Sequence, residues 1–409
     1  MKGPLTDLRW VVIPAAVLLA AVIIEYLARW WVRHRKAYYV FTPGLRLRLH
    51  PHPQVFPQVE PSVRFEVNRQ GERGYEVPRL RAGETMYRVL VAGGSQPEGY
   101  MLDQDTSWPG ALHRLLQWPD HLAALGTSKA HVGSIARSGV GSEALGLILE
   151  RVLGRYDRLQ AIIILVGASD LLRWLEQGAP PAPPSPPSTS DLFACHPQVR
   201  FSWKRRKLAT VELIGRTRHR WLRPVKVHEA AGSWIGKARA MRAQAKVIRT
   251  AMPPPEPMLD HFERHFGQVL RKAKAHADRV LVVQQPWFAP PFAPEEAAQM
   301  WHGGVGQVWR EEVATYYSFE VVSRLMALVN ERAAQVASQM DVQQLDLMPL
   351  LERSLATYYD GFHATPAGAR MVAAAVADAV LQRSRSAPRV RDRTDRLDPA
   401  NTYSQRTAS

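Results

Sequence analysis

Two short stretches near opposite ends of the chain carry side chains that could act together on an ester. In Asp360-Gly361-Phe362-His363 a carboxylate stands three positions before an imidazole. At that spacing the carboxylate can orient the ring and stabilise its protonated form. Gly93-Gly94-Ser95 follows the strand-like run 87–92. A serine on a turn directly after a strand is held up at the carboxyl edge of a sheet, where a nucleophile meets its substrate. With His363 as base and Asp360 behind it, the Ser95 hydroxyl could attack an acyl carbon. Each has a bland reading alone: Ser95 as a turn residue or helix cap, His363 as a surface residue before a helix. In this order, at opposite ends of an α/β pattern, they point to a hydrolytic triad.

Such a triad needs a sheet to assemble it, and the sequence predicts one. Strand-like runs occur at 87–92, 130–135, 161–166, 279–283 and 342–345. The run 161–166 is apolar throughout, as a parallel strand covered on both faces requires. Helices are expected from about Ser107 (Thr106 or Ser107 as cap, Pro109 in the first turn), over 143–153 with Leu145, Leu149 and Val152 on one face, and over 366–381 with Thr365 as cap. Strands alternating with helices predict an α/β fold with a parallel sheet between helical layers. The aromatic segment after the fourth strand (Trp287, Phe288, Phe292, Trp301, Trp309) would lie on the ligand side of that sheet, to stack on sugars, enclose an acyl group or simply pack.

The domain so outlined spans 86–382. It is interrupted over 179–260, where a proline-rich stretch is followed by Lys204-Arg205-Arg206-Lys207, Arg216, Arg218, Arg220, Arg223 and Lys226. This reads as a basic, helical insertion, either a solvated face or a flap for a polyanion. Residues 37–85 form a membrane-proximal segment with short strands, one at 62–67. The polar stretch 383–409 is expected to be a disordered tail.

Residues 1–36 read as a membrane anchor. Val11 to Ile24 is apolar apart from Pro14 and is flanked by Trp10, Tyr26, Trp30 and Trp31. Counted to Ala28 it approaches the ~20 residues of a spanning helix with interfacial aromatics. Glu25 and Arg29 can pair on one face. Arg29-Trp30-Trp31-Val32-Arg33 follows directly and offers no small-residue cleavage site. The basic residues after the span favour a cytoplasmic domain by the positive-inside rule. Among 409 residues, 46% hydrophobic, the formal charge is +16. This suits anionic lipid, acidic polysaccharide or nucleic acid, but no nucleic-acid recognition motif accompanies it. The one cysteine, Cys195, excludes an intramolecular disulfide, and no metal-like spacing surrounds it.

The ordered blocks resemble the SGNH/GDSL hydrolases, serine esterases and acyltransferases. Gly93 to Gly99 is similar to the first block in the G-G-S-x-x-E-G form of membrane-anchored members, and Asn68 to Gly74 to a lead-in of the same members. Ala136 to Gly141 occupies the second block, Gly167 to Asp170 the third, and Asp360 to His363 the fifth; the likeness covers roughly 62–382, less the insertion. It implies a flavodoxin-like α/β/α sandwich with a five-stranded parallel sheet. It also implies an oxyanion site built from the Ser95 N–H, the Gly141 N–H (Gly139 if the alignment shifts by two) and the side chain of Ser169. Two positions depart from the pattern: Gly94 stands for the signature aspartate and Ser169 for an asparagine. The implied function is a membrane-anchored serine esterase or O-acyltransferase acting on a small ester or an acylated cell-surface glycan, with no cofactor or metal. Anchored, exported relatives imply an extracytoplasmic domain, against the charge rule. The alternative is a non-catalytic member that holds a polyanion at the membrane. The oligomeric state has no sequence signal.

Overall fold

The computed structural model describes residues 5–35, 37–182 and 187–386. Helix α1 (Leu5–His34) leads into β1 (Arg46–Pro51) and β2 (Val63–Glu66), which pair antiparallel. Next come β3 (Met86–Gly93), the single turn α2 (Ser95–Glu98), α3 (Trp108–Leu116) and β4 (Lys129–Ser134). They are followed by α4 (Ser142–Val152), β5 (Leu159–Leu165) and α5 (Ala168–Glu176). The insertion supplies α6 (Ala209–Leu222), β6 (Val225–Ala231), α7 (Ser233–Ala243) and β7 (Val247–Arg249). The chain ends with α8 (Glu256–His276), β8 (Ala277–Val283), β9 (Thr315–Tyr317), α9 (Phe319–Gln339), β10 (Gln343–Leu345) and α10 (Pro366–Ser386).

The main sheet has the order β10-β8-β5-β3-β4 and is parallel throughout. Counting only its own strands along the chain, that is the flavodoxin-like order 2-1-3-4-5, the architecture the SGNH/GDSL resemblance implies. Its switch point, where crossovers diverge and a crevice opens, falls between β3 and β5. The apolar runs fill its centre: Val89, Leu90 and Val91 of β3 and Ile162, Ile163 and Ile164 of β5 are buried. Helices α4, α8 and α9 pack together on one face, α3 with α10 on the other.

The helix starts differ in their chemistry. Ser107 stands at the cap position of α3, but its Oγ donates to Gln104 O (3.2 Å) and caps nothing. Thr365 Oγ1 accepts from Gly368 N (3.2 Å) and does cap α10. That helix continues to Ser386; the remainder of the expected tail, 387–409, lies outside the described residues.

The insertion has helices, as expected, and also two strands. β6 pairs parallel with β1, so the membrane-proximal segment and the insertion share one three-stranded sheet, and β7 pairs with β9. Its expected end at 260 falls inside α8, whose Met258, Leu259 and Phe262 are buried in the main core.

On α1, residues 12–24 are largely exposed, whereas Glu25, Ala28 and Val32 form a buried stripe. Glu25 accepts from Arg29 Nε (2.7 Å), Ala209 N (2.8 Å), Thr210 N (3.0 Å) and Thr210 Oγ1 (2.9 Å). A carboxylate at a helix N-terminus satisfies its orphan N–H groups, so Glu25 fastens α6 to α1. Among the described residues, Val12–His34 is long and apolar enough to cross a membrane.

Candidate active site

The serine sits where β3 ends. Gly93 has φ +157°, and a Cβ there would stand 1.9 Å from Leu165 O on β5. Only glycine lets the two strand ends pass so closely. The chain turns at once, and Ser95 opens α2 at the switch point. On the far side of the crevice Asp360 and His363 precede α10.

Three side chains form a hydrogen-bonded chain. His363 Nε2 lies 2.8 Å from Ser95 Oγ, and His363 Nδ1 lies 2.9 Å from each Asp360 carboxylate oxygen. Asp360 Oδ1 also accepts from the backbone N–H of Phe362 and His363 (2.9 Å each), and Oδ2 from Trp301 Nε1 (3.0 Å). Burial alone would push the Asp360 carboxyl up, but His363, His302 and these hydrogen bonds outweigh it and hold it well below the usual carboxylate range. For His363, burial pushes the imidazole down, while the charge and hydrogen bond of Asp360 outweigh that and hold it above its ordinary 6.5.

His302 packs behind this chain, stacked on Trp301 (ring centroids 3.7 Å) and edge-on to Phe362. Burial pushes its pKa down to about 3, so the ring is neutral beside His363. Arg239, from α7 of the insertion, donates to Tyr359 O (3.0 Å), Val55 O (2.7 Å) and Gln299 O (3.1 Å). The insertion thus braces the residue next to Asp360.

Two carboxylates tie together the loops after β3, β4 and β5. Glu98, buried at the end of α2, accepts from Ser138 N (2.8 Å) and Ser138 Oγ. Burial pushes its carboxyl up, against those bonds and the charges of Arg73 and Arg137. Asp170 accepts from Ser142 N (2.8 Å) and Ser142 Oγ (2.7 Å) at the start of α4; burial pushes it up to about 6.

The two candidate glycines border different cavities. Gly139, with φ +75°, borders the cleft with Ser95, Ser169 and His363. Gly141, expected there, borders a smaller cavity instead, and a Cβ on it would stand 2.8 Å from Asp170 Oδ1. Among the described residues no acceptor is within reach of the Ser95 or Gly139 backbone N–H, and the Ser169 hydroxyl has no partner. Ser169 Oγ would be 3.3 Å from a Cβ on Gly94. The two departures from the SGNH/GDSL pattern therefore meet in space, since a larger residue at 94 would press on Ser169.

The cleft is about 1120 Å3 in volume. One wall is a cluster of Trp234, Trp301 and Trp309, with Trp234 edge-on to both others. Trp234 and Trp309 remain 37% and 45% exposed, so their faces are open to a ligand. Arg137, Arg173 and Glu176 bring charge to the cleft, and burial pushes Glu176 up to about 7. The aromatic segment is divided: Trp287 donates to Ser323 Oγ (2.9 Å), and Phe288 and Phe292 pack with it away from the serine. Trp234, in the insertion, was outside the sequence expectation.

No protein-family model matches the sequence, and no curated protein matches it. Solved structures similar to this one include a member of the lipolytic G-D-S-L family from Veillonella parvula, with TM-score 0.38 and 9% identity over 71% of this chain and 96% of that one. An acetylxylan esterase from Geobacillus stearothermophilus gives TM-score 0.38 and 11% identity over 73% and 94%. An α/β hydrolase enzyme from the metagenome of Lake Arreo, Spain, gives TM-score 0.39 and 11% identity over 73% and 96%. At these values the likeness assigns this chain neither a reaction nor a substrate.

Removing the Glu98 carboxylate tests the loop tie. Glu98→Ala should cost on the order of 1–3 kcal/mol of stability by leaving Ser138 unsatisfied, and amide exchange should quicken at Ser138 and Val140. Unchanged exchange there would mean that the loop is held by other contacts.

Proposed function

We propose that this chain is a membrane-anchored serine esterase or O-acyltransferase. The observation that carries the reading is the hydrogen-bonded series Ser95–His363–Asp360 at the switch point of the sheet. His363 Nε2 takes the Ser95 proton as Oγ bonds to an ester carbonyl carbon. Asp360 stabilises the imidazolium and fixes its tautomer with Nδ1 protonated. The oxyanion is met by the N–H groups of Ser95 and Gly139 and by the Ser169 hydroxyl, donors already in place and not spent on the protein. Collapse of the tetrahedral species expels the alcohol, which takes the proton back from His363 and leaves an acyl group on Ser95. Water or a sugar hydroxyl, deprotonated by His363, then removes it. Water gives hydrolysis and a sugar gives transfer.

The substrate class we favour is an acylated glycan. Exposed indole faces in a roomy cleft suit stacking on sugar rings, and the charged rim suits hydroxyl and carboxylate groups. The apolar, outward-facing residues 12–24 of α1 support an uncleaved anchor. For the membrane side, we keep the extracytoplasmic placement, where such glycans lie.

Hydrolysis of p-nitrophenyl acetate by the full chain in detergent tests the reading. Ser95→Ala should fall to the buffer rate, and Ser169→Ala should lose about 100-fold in kcat with KM little changed. Equal rates for the parent and Ser95→Ala would leave a non-catalytic, polyanion-binding protein. The pH profile is a second test. Because the base must be neutral and its pKa is raised, kcat/KM should rise with pH through a midpoint above the ordinary 6.5. Asp360→Asn should move the midpoint down and cut the rate by on the order of 10⁴. A flat profile from about pH 5 to 8 would contradict His363 as the base.

A further inference from the structure

The outward face of α6 is apolar except for Arg218, which stands between Ile214 and Trp221 on it. Val211, Ile214, Trp221 and Leu222 recur at helical spacing and are 44%, 67%, 70% and 75% exposed. Trp203 before the helix and Val225 and Val227 after it are also exposed. The inner side holds buried Ala209 and the partly buried Leu213 and Arg216. An apolar stripe of this kind normally rests against something; among the described residues the Arg69 guanidinium reaches the Trp221 ring (6.0 Å to its centroid) and Tyr26 and Arg29 meet Trp203, while the rest of the stripe stays open. Lys204, Arg205, Arg206 and Lys207 stand exposed just ahead of the helix, and Arg218 is exposed on it.

The place of α6 indicates what covers the stripe. Its N-terminus is fastened to Glu25 of α1, where α1 passes from largely exposed apolar residues to a stripe buried on the domain. The apolar residues Val11–Ile24 are about 21 Å of helix, most of the ~30 Å thickness of a hydrocarbon core, with Asp7 and Arg9 before them and Glu25 after them at the two edges. With that stretch in lipid, Glu25 stands at the bilayer edge and α6 starts at the same level. We infer that α6 lies on the membrane as a second, peripheral contact, its apolar stripe at the acyl–headgroup boundary and its basic residues against anionic headgroups. This rests on the anchoring proposed above. An interfacial helix has this pairing of apolar face and basic flank. A soluble polyanion would meet the charges and leave the tryptophan, leucine and isoleucine in water. β6 runs from α6 into the cleft, where His228, Glu229 and Ala231 line the wall. At about 3.3 Å per residue, the cleft then opens within roughly 25 Å of the headgroups, at a height set by α6.

The test uses the full chain in lipid nanodiscs. A bimane fluorophore is placed in turn at Ile214→Cys, Leu18→Cys and Glu331→Cys, and quenching by lipids brominated on the acyl chains is measured; the chain's own Cys195 is buried. In phosphatidylglycerol mixed with phosphatidylcholine, the probes at 18 and 214 should lose most of their fluorescence and the probe at 331 almost none. Replacing phosphatidylglycerol by phosphatidylcholine should weaken quenching at 214 and leave 18 unchanged. Quenching at 18 with none at 214, or quenching at 214 that ignores lipid charge, overturns the inference and leaves the anchor standing. No quenching at 18 overturns the anchor and the inference with it.

Discussion

Asp360 is 0% exposed, and an ionised carboxylate taken out of water costs several kcal/mol unless hydrogen bonds and an opposing charge replace its hydration. Here the replacements come from three directions: two backbone N–H groups of its own turn, the Trp301 indole and the His363 ring. Each bond fixes something else. The backbone bonds shape the turn before α10, the indole fixes the cluster that walls the cleft, and the ring bond aims Nε2 at Ser95. Removing the carboxylate would therefore loosen the wall and the His363 ring together.

The other half of the site depends on geometry at the sheet. Parallel strands in the order 2-1-3-4-5 leave a crevice between the first and third, and Gly93 permits the close pass that lifts Ser95 into it. Three loops then have to stay in register around that serine. Glu98 and Asp170 hold them with charge-assisted bonds to backbone N–H groups, which are stronger than neutral ones and directional. The insertion belongs to the same assembly: Arg239 supports the turn that carries Asp360, Trp234 completes the cleft, and α6 grips α1.

The main sheet was legible because buried parallel strands have to be apolar runs, and 161–166 is such a run. Ser95, Asp360 and His363 could be picked out because their spacing and context are local signals. β6 was not legible: its residues are almost all exposed, its alternation Val225-Lys226-Val227-His228 is only four residues long, and its partner β1 lies far away in sequence. Gly139 and Gly141 are two positions apart and equivalent as text; the different cavities they border separate them. Arg239 is one cation among many in a basic stretch, and only its three carbonyl partners distinguish it. The aromatic run could not be divided in advance, because whether a tryptophan meets the cleft or the core depends on how its loop lies against α9.

The most direct measurement is covalent trapping by an alkyl fluorophosphonate, read by intact mass and peptide mapping. The account predicts one adduct, on Ser95, formed by the parent protein and lost in His363→Ala with the fold intact. An unreactive parent, or an adduct on a different serine, would contradict it.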